Sequence, residues 1–140
     1  MAEASFHIEV VTPERLIYSG DAVSVTAPGR LGYFGILANH LPMVVELGLG
    51  ELTIKQTDGK TVQMALVGGF FEVSANKAIV LADGGELAAE IDLNRARAAA
   101  DKARKALEDL ENHSIDRELM RAALARAETR LKVAQDAGRA

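Results

Sequence analysis

The spacing of hydrophobic residues changes once along the chain, at about Asp92. Before that point, apolar and polar residues alternate in short runs that are separated by glycine-containing and Asn-Lys turns, a period of two that is typical of β-strands. After it, apolar residues recur every three or four positions in a segment rich in Ala, Leu, Lys, Arg and Glu, which is typical of amphipathic helices. The sequence therefore predicts a β domain followed by a helical one.

The alternating part of the chain predicts roughly eight or more short strands. Residues 5–11 alternate apolar and polar side chains, and residues 57–60 and 75–77 have the composition of tight turns between strands. A long loop is expected from Pro28 to about Pro42. Short strands at regular spacing, without strand–helix alternation, favour an antiparallel β-sandwich or a flattened barrel over a Rossmann-type nucleotide fold.

The helical part carries two apolar stripes with heptad-like spacing. The stripes are Leu93, Ala96, Ala100, Ala103, Leu107 and Leu110, and then Met120, Leu124, Ala127, Leu131 and Ala134. Asp92 is a good N-cap, and the polar residues 111–114 predict a break between two helices that pack antiparallel. Because a buried alanine contributes only about 0.8 kcal/mol, the hairpin is expected to be weakly held. It is either a separable moving part or a permanently docked one.

Charge is divided unevenly between the two parts. Residues 1–91 hold five Lys or Arg and eleven Asp or Glu, a balance of −6, whereas residues 92–140 hold eleven and nine, a balance of +2. An acidic β domain is a poor platform for nucleic acid, which selects clustered positive charge. The helical part is either a solvated helix pair with mixed charges or a surface that meets an acidic protein partner.

The residue patterns that catalysis requires are missing. The chain has no Cys, its three His residues lack metal-ligand spacing, and it contains neither a Gly-x-Ser-x-Gly nucleophile motif nor a phosphate-binding glycine loop. A binding or coupling role is therefore expected, with no metal and no catalytic residue. The first residues have no signal-peptide pattern, and no stretch approaches the roughly 20 apolar residues that span a bilayer.

A loop histidine and the apolar segment before it each have two interpretations. His40, in Asn39-His40-Leu41-Pro42, is either a structural hydrogen-bonding residue or a base, and its isolation favours the first. The segment 33–37 either tucks under the sandwich or presents apolar surface to a partner.

Five short motifs follow one another along essentially the whole chain. They are Thr12-Pro13-Glu14-Arg15 with Ile17-Tyr18-Ser19-Gly20, then Gly35 to Pro42, Gly68 to Val73, Val80 to Asp83, and Ile91 to Ala96. Each motif alone is weak. In this order, ahead of an alanine-rich helix pair, they resemble the epsilon-subunit family of the bacterial F-type rotary ATP synthase.

The resemblance implies a non-catalytic central-stalk subunit rather than an enzyme. Its fold would be an antiparallel β-sandwich of about ten strands in residues 1–86, binding the gamma subunit and the rotor ring, followed by a two-helix antiparallel hairpin in residues 87–140. In relatives the hairpin extends along gamma and blocks ATP hydrolysis, so the helices are expected to meet the alpha and beta catalytic subunits. The subunit would lie peripherally at the cytoplasmic face of the bacterial inner membrane without inserting into it.

The resemblance also raises ATP as a regulatory ligand, although no cofactor is required. Some relatives bind ATP through an Ile/Leu-Asp-x-x-Arg-Ala motif that other relatives carry without binding it. The implied site residues are Glu86, Ile91, Asp92, Arg95, Ala96, Lys102, Arg126 and Arg130. Lys102 stands where ATP-binding relatives have Arg, and a lysine lacks the planar fork that grips phosphate. In the other interpretation, Asp92 is only an N-cap and Arg95 only a surface residue.

The resemblance places the contact with gamma and the rotor ring at Arg30, Leu31, Tyr33, Phe34 and His40. Some relatives are acidic in this loop, so a more apolar contact is expected here. An alternative function is a free-standing ligand-binding sandwich with a helical dimerisation tail. A dimerising coiled coil, however, requires larger residues than alanine along its seam.

Overall fold

The chain divides into two compact units, Met1–Ala88 and Ala89–Ala140, and the computed structural model describes residues 3–139. The strands described in the first unit are β1 (Phe6–Val11), β2 (Leu16–Gly29), β3 (Gly32–Leu37), β4 (Met43–Gln56), β5 (Thr61–Ser74) and β6 (Lys77–Leu87). A 3₁₀ turn at Ala88–Glu90 follows, and the second unit contains α1 (Leu93–Glu108) and α2 (Arg117–Asp136). Within residues 3–139, no helix is long and apolar enough to cross a membrane.

The strands of the first unit close into a flattened barrel. Hydrogen-bonded neighbours lead from β1 through β6, β5, β4 and β2, and β1 also pairs with β2, which completes the ring. β3 is added along the outer part of β2. The prediction of a sandwich or barrel is confirmed, but the pairing is not wholly antiparallel, because β1 runs parallel to β6 from His7–Lys77 to Val11–Leu81.

The structure does not confirm the expected count of about ten strands, because residues 3–139 contain six. Three of the six, β2, β4 and β5, are 14 residues long. Glycines that look like strand ends in the sequence lie within these strands without ending the ladder. The β4–β5 register, for example, is unshifted from Met43–Val73 to Lys55–Thr61, although Gly48 and Gly68 lie within it.

The prediction of a long loop from Pro28 to about Pro42 is wrong for the first part of that segment. β2 continues to Gly29, and after a tight turn β3 returns antiparallel from Gly32 to Leu37. The pairing joins Val25 to Ile36 and Ala27 to Phe34. Apart from the two turn residues Arg30 and Leu31, only the segment from Ala38 to Pro42 lies outside the regular strands in this part of the chain.

Two predicted turns are confirmed. Between β4 and β5, the N–H of Gln56 donates to the carbonyl of Lys60 at 2.8 Å, and Gly59 has a φ of 86°. Between β5 and β6, Ala75 and Asn76 both have positive φ, at 50° and 58°, as the mirror-image turns of hairpins require.

The core of the first unit is formed by the alternate residues that point into the barrel. Its largest fully buried side chains are Phe71, Ile8, Ile36, Leu52, Ile54, Met64, Leu66, Val10, Val25, Val73 and Val80. Every strand contributes to this cluster. Since no strand can leave without exposing part of it, the barrel is expected to unfold cooperatively.

The second unit is an antiparallel helical hairpin with an alanine-rich seam, as predicted. Asp92 caps α1, because its Oδ1 accepts from the N–H of Arg95 at 3.0 Å, and Asp116 caps α2 in the same way. The buried residues of the two helices are Ala96, Ala100, Ala103, Ala127, Val133 and Ala134. The prediction that Leu110 belongs to the first stripe is wrong, because α1 ends at Glu108 and Leu110 is exposed.

Gly69 lies where β5 and β6 approach each other too closely for a side chain. Its φ is 116°, and a Cβ at this position would lie 2.1 Å from the carbonyl oxygen of Leu81. We expect Gly69→Ala to lower the free energy of unfolding of the full chain by at least about 2 kcal/mol, through backbone strain and overpacking together. Denaturant unfolding measures the change.

Gly84→Ala is the matched control, since its Cβ would make only ordinary contacts, the nearest 3.7 Å from Val67. Equal unfolding midpoints for the two variants would contradict this account of Gly69.

Candidate functional site

A groove lies at the β2–β3 turn of the barrel. It has a volume of about 440 Å³ and is lined by Gly29, Arg30, Leu31, Gly32, Tyr33, Phe34, Met43, Val44, Val45 and Glu46. Four of the five residues predicted to meet a partner therefore share one surface. Leu31 is almost completely exposed at 99%, and Tyr33 is 61% exposed. Apolar side chains held in water at the rim of a groove are typical of an interaction site.

The apolar segment 33–37 satisfies both interpretations, on alternate residues. Ile36 is buried, and Phe34 packs edge-on against Phe71 with ring centroids 5.2 Å apart. Tyr33 and Leu37 point outward from the same strand and are exposed. Phe34 therefore supports the groove from the core side, whereas Leu31 and Tyr33 present the apolar surface.

Tyr33 is held in place by contacts at its hydroxyl group. The hydroxyl oxygen accepts from the N–H of Glu51 at 3.0 Å. A Cβ on the neighbouring Gly50 would lie 2.6 Å from that oxygen and 2.6 Å from the Cβ of Pro28, so only glycine leaves room for this arrangement. The ring is thus fixed in an exposed position, which reduces the entropy that a partner must remove on binding.

His40 is not part of this groove. It follows the far end of β3 and donates from Nδ1 to the carbonyl of its neighbour Leu41 at 2.7 Å. The adjacent N–H of Asn39 donates to Oδ1 of Asn76 at 2.7 Å, which ties the loop to the β5–β6 turn. These contacts favour the structural interpretation of His40, and the structure does not bring it together with Leu31.

Sequence reasoning missed a second apolar surface on the outside of the barrel. Cross-strand pairing aligns Leu16 with Val11, Val11 with Leu81, and Leu81 with Phe70, in one row across four strands. Leu16, Leu81 and Phe70 are each more than half exposed. The only signal in the sequence is Phe70-Phe71, because consecutive residues of a strand point to opposite faces and one ring must face outward. We call these four residues the outer apolar row.

A chain of three hydrogen-bonded side chains also lies on the outer surface, formed by Ser19, His7 and Asp21. Ser19 Oγ is 3.1 Å from His7 Nε2, and His7 Nδ1 is 3.1 Å from Asp21 Oδ1. The order resembles a nucleophile–base–acid series, but the orienting carboxylate of such a series is buried, whereas that of Asp21 is 63% exposed. Glu9 also approaches His7 Nε2, at 3.5 Å. The group is a polar network across neighbouring strands.

The residues implied for ATP lie in both units. Glu86 belongs to β6, whereas the others belong to the helical hairpin or the residues just before it. Ile91 and Ala96 are buried, while Asp92 and Arg95 are exposed and joined through the cap. Lys102 is exposed on α1. The cap therefore occupies one oxygen of Asp92, and Arg95 stays exposed beside it.

Arg126 and Arg130 are one helical turn apart on α2, so they share a face of that helix. Arg126 is exposed and Arg130 is half-buried. Two guanidinium groups at this spacing provide several donors for an anion. Across residues 3–139, no group of three or more His, Cys, Asp or Glu side chains is arranged to hold a metal ion.

Comparison with known proteins gives the family. The sequence model of the beta-sandwich domain of the ATP synthase delta/epsilon chain matches residues 5–88, and that of its long alpha-helix domain matches residues 89–135. The ATP synthase epsilon chain of Geobacter sulfurreducens is 43% identical over 139 residues, which cover 99% of both chains. That of Nitratidesulfovibrio vulgaris strain DP4 is 43% identical over 131 residues, which cover 94% of this chain and 96% of the relative.

A solved structure has the same fold. A chain in the cryo-EM structure of the Euglena gracilis mitochondrial ATP synthase, comprising OSCP, F1 and the c-ring in rotational state 1, aligns with a TM-score of 0.79. The alignment covers 96% of this chain and 84% of that one, at 23% identity.

The chain belongs to the ATP synthase delta/epsilon chain family, and within it to the epsilon chains. The resemblance found in the sequence is thus confirmed, and with it the expectation of a non-catalytic subunit. The free-standing sandwich with a dimerisation tail is correspondingly disfavoured.

Proposed function

We propose that the chain is a central-stalk subunit that couples the rotor ring to the gamma subunit and restrains ATP hydrolysis through its helical hairpin. The observation that carries the coupling role is the presence of two exposed apolar surfaces on one closed barrel. A closed barrel transmits force with little deformation, and apolar surfaces of this kind are stable in water only while they are small or covered by a partner. Residues 1–86 form the coupling domain and residues 87–140 the regulatory one.

The groove at the β2–β3 turn is assigned to the rotor ring. Leu31 and Tyr33 supply its apolar contact, and Phe34 supports them from the core. Arg30 is tied to Glu46 by an exposed ion pair at 3.3 Å, so it contributes a polar rim rather than strong attraction. The outer apolar row is assigned to gamma. His40 does not line the groove, and its loop is assigned to gamma as well.

The two assignments predict separable binding defects. Phe70→Ser should weaken binding of purified gamma about tenfold or more, because exposed aromatic residues at interfaces are frequent hot spots. Leu31→Ser should leave gamma binding unchanged and weaken retention of the gamma–epsilon pair on the rotor ring. Neither side chain is part of the core, so both variants should remain folded.

Leu49→Ser is the matched control, since Leu49 is an exposed leucine of β4 that belongs to neither apolar surface. Wild-type gamma binding by Phe70→Ser would remove the outer apolar row from the interface.

The helical hairpin is assigned to regulation. Its alanine seam buries little apolar area, so the free energy that holds the two helices together is small. The balance of +2 over residues 92–140 suits the acidic surface expected on the alpha and beta catalytic subunits, whereas residues 1–91 carry −6. An opened hairpin would extend along gamma and obstruct the rotation that hydrolysis requires.

Deleting residues 92–140 tests this role. We expect the reconstituted complex to assemble and couple normally but to hydrolyse ATP faster, because the obstructing element is gone. Hydrolysis rates are compared at full occupancy of the subunit, confirmed by gel densitometry. An unchanged rate would contradict inhibition by the hairpin.

ATP is proposed as a regulatory ligand of the closed hairpin and not as a required cofactor. Arg95, Arg126 and Arg130 would neutralise phosphate charge, with Lys102 as a further cation. Asp92 repels phosphate, so its free oxygen would accept from the adenine amine while the other caps α1. Bound ATP would stabilise the closed form by about 2.7 kcal/mol at a hundred times the dissociation constant.

Calorimetric titration of the full chain with ATP tests the site. Arg126→Ala should weaken binding about tenfold or more, through the loss of a charge-assisted hydrogen bond. Arg121→Ala, an exposed arginine of the same helix outside the implied set, should bind like the wild type. No heat at millimolar ATP, or equal weakening by both substitutions, would contradict the assignment.

The subunit so described would associate peripherally with the cytoplasmic face of the bacterial inner membrane, through the rotor ring rather than through lipid. It would bind no nucleic acid, since the barrel is acidic.

A further inference from the structure

The loop end of the helical hairpin is closed by one arginine. Arg117, in the first turn of α2, donates from Nη1 to the carbonyl of Leu107 at 2.9 Å and from Nη2 to the carbonyl of Asp109 at 3.1 Å. The last carbonyls of a helix have no partner within it, and the C-terminal end of a helix favours a nearby cation. One half-buried guanidinium therefore satisfies two carbonyls at the end of α1 and joins the helices.

The open end of the hairpin is closed by a second arginine. Arg139 donates from Nη1 to the carbonyl of Ile91 at 2.7 Å, linking the end of α2 to the residue before the Asp92 cap. Its direction is set by the backbone. Gly138 has a φ of 85°, the N–H of Arg139 donates to the carbonyl of Ala134 at 2.8 Å, and that of Gly138 donates to Gln135 at 2.9 Å. This is a Schellman motif, which reverses the chain at the helix end.

The carbonyl of Ile91 requires a donor from elsewhere because α1 does not supply one. The N–H of Arg95 donates to Oδ1 of Asp92, and the N–H of Ala96 donates to the carbonyl of Asp92. Neither of these two N–H groups is therefore available to the carbonyl of Ile91. Ile91 is itself buried, and a buried carbonyl without a partner is destabilising.

The seam between these two ends contributes less to the stability of the closed hairpin than its length suggests. Its buried residues are mainly alanines, and the described ion pair that crosses it, Arg104 with Glu128 at 3.5 Å, is exposed on both sides. Exposed ion pairs have small net effects, whereas hydrogen bonds from a charged donor are among the stronger ones. The strongest described polar links between the helices thus lie at its two ends.

We propose that Arg117 and Arg139 form a two-ended clamp that sets how readily the helical hairpin opens, and that Arg139 also positions Ile91, the first residue of the candidate ATP motif. The clamp itself follows from the contacts of the hairpin. Its regulatory consequence rests on the proposed function, because opening matters for hydrolysis only if the opened hairpin is inhibitory. Both arginines act as positioning residues.

The absence of cysteine from the chain permits a direct test in the full-length subunit. Ala100→Cys places a single thiol in the buried seam, so its rate of reaction with a thiol reagent reports opening. In this background, Arg139→Ala and Arg117→Ala should each accelerate labelling about tenfold, as expected for the loss of a charge-assisted hydrogen bond. Arg139→Lys should recover part of the protection, because an ammonium group can still donate one bond.

Arg121→Ala is the matched control, since Arg121 is an exposed arginine of α2 for which the structure describes no hydrogen bond or ion pair to α1. Equal labelling rates for the arginine variants and this control would overturn the clamp. Ala134→Cys, on the other helix, repeats the measurement should the thiol at position 100 disturb packing. If the arginine substitutions leave the labelling rate unchanged for the thiol at position 100 and for the thiol at position 134, the proposal is wrong.

The regulatory consequence is measured separately in the reconstituted complex. Arg139→Ala should lower ATP hydrolysis relative to Arg121→Ala, because a looser hairpin opens more often. If deletion of residues 92–140 raises hydrolysis but the arginine variants leave it unchanged, the regulatory part of this inference is wrong while the proposed function stands. If the deletion has no effect, the proposed inhibitory function is wrong, and the labelling rates still decide the clamp.

Discussion

Closure of the sheet through β1 is the constraint on which the first unit depends. This six-residue strand pairs with β2 on one side and β6 on the other, so the ring has no free edge at that point. A closed ring of few strands must curve sharply, and the β2–β4 pairing has two register shifts of the kind that bend a strand, whereas the β4–β5 register is unshifted. The apolar groove and the outer apolar row are therefore carried on a scaffold that resists deformation.

The helical hairpin follows a different physical rule. Alanines allow two helices to approach closely, but each buries little apolar area. The caps and the hydrogen bonds at the two ends therefore define how the helices pair and keep them together. A unit of this kind has a well-defined closed structure and a small free energy of opening. That contrast with the barrel is what a subunit requires if one part must transmit rotation while the other changes conformation.

Features that depend on the local residue pattern were predicted correctly from the sequence. Features that depend on which strands pair in the folded chain were not. Periodicity located the barrel and the helices, and Asp92 was correctly identified as a cap because capping depends on neighbouring residues alone. The strand count failed because a glycine such as Gly68 lies within a strand in one context and ends it in another. The outer apolar row could not be predicted, since Leu16 and Phe70 become neighbours only through the register of four strands.

Native-state hydrogen exchange of the full chain, followed at increasing denaturant concentration, tests most directly the claim that a cooperative barrel is joined to a loosely held hairpin. Strand amides of β4 and β5 should exchange only through global unfolding, with a strong denaturant dependence. Amides of α1 and α2 should exchange through openings of clearly lower free energy and weaker denaturant dependence. If strand and helix amides shared one free energy of opening across all concentrations, the central claim would be contradicted.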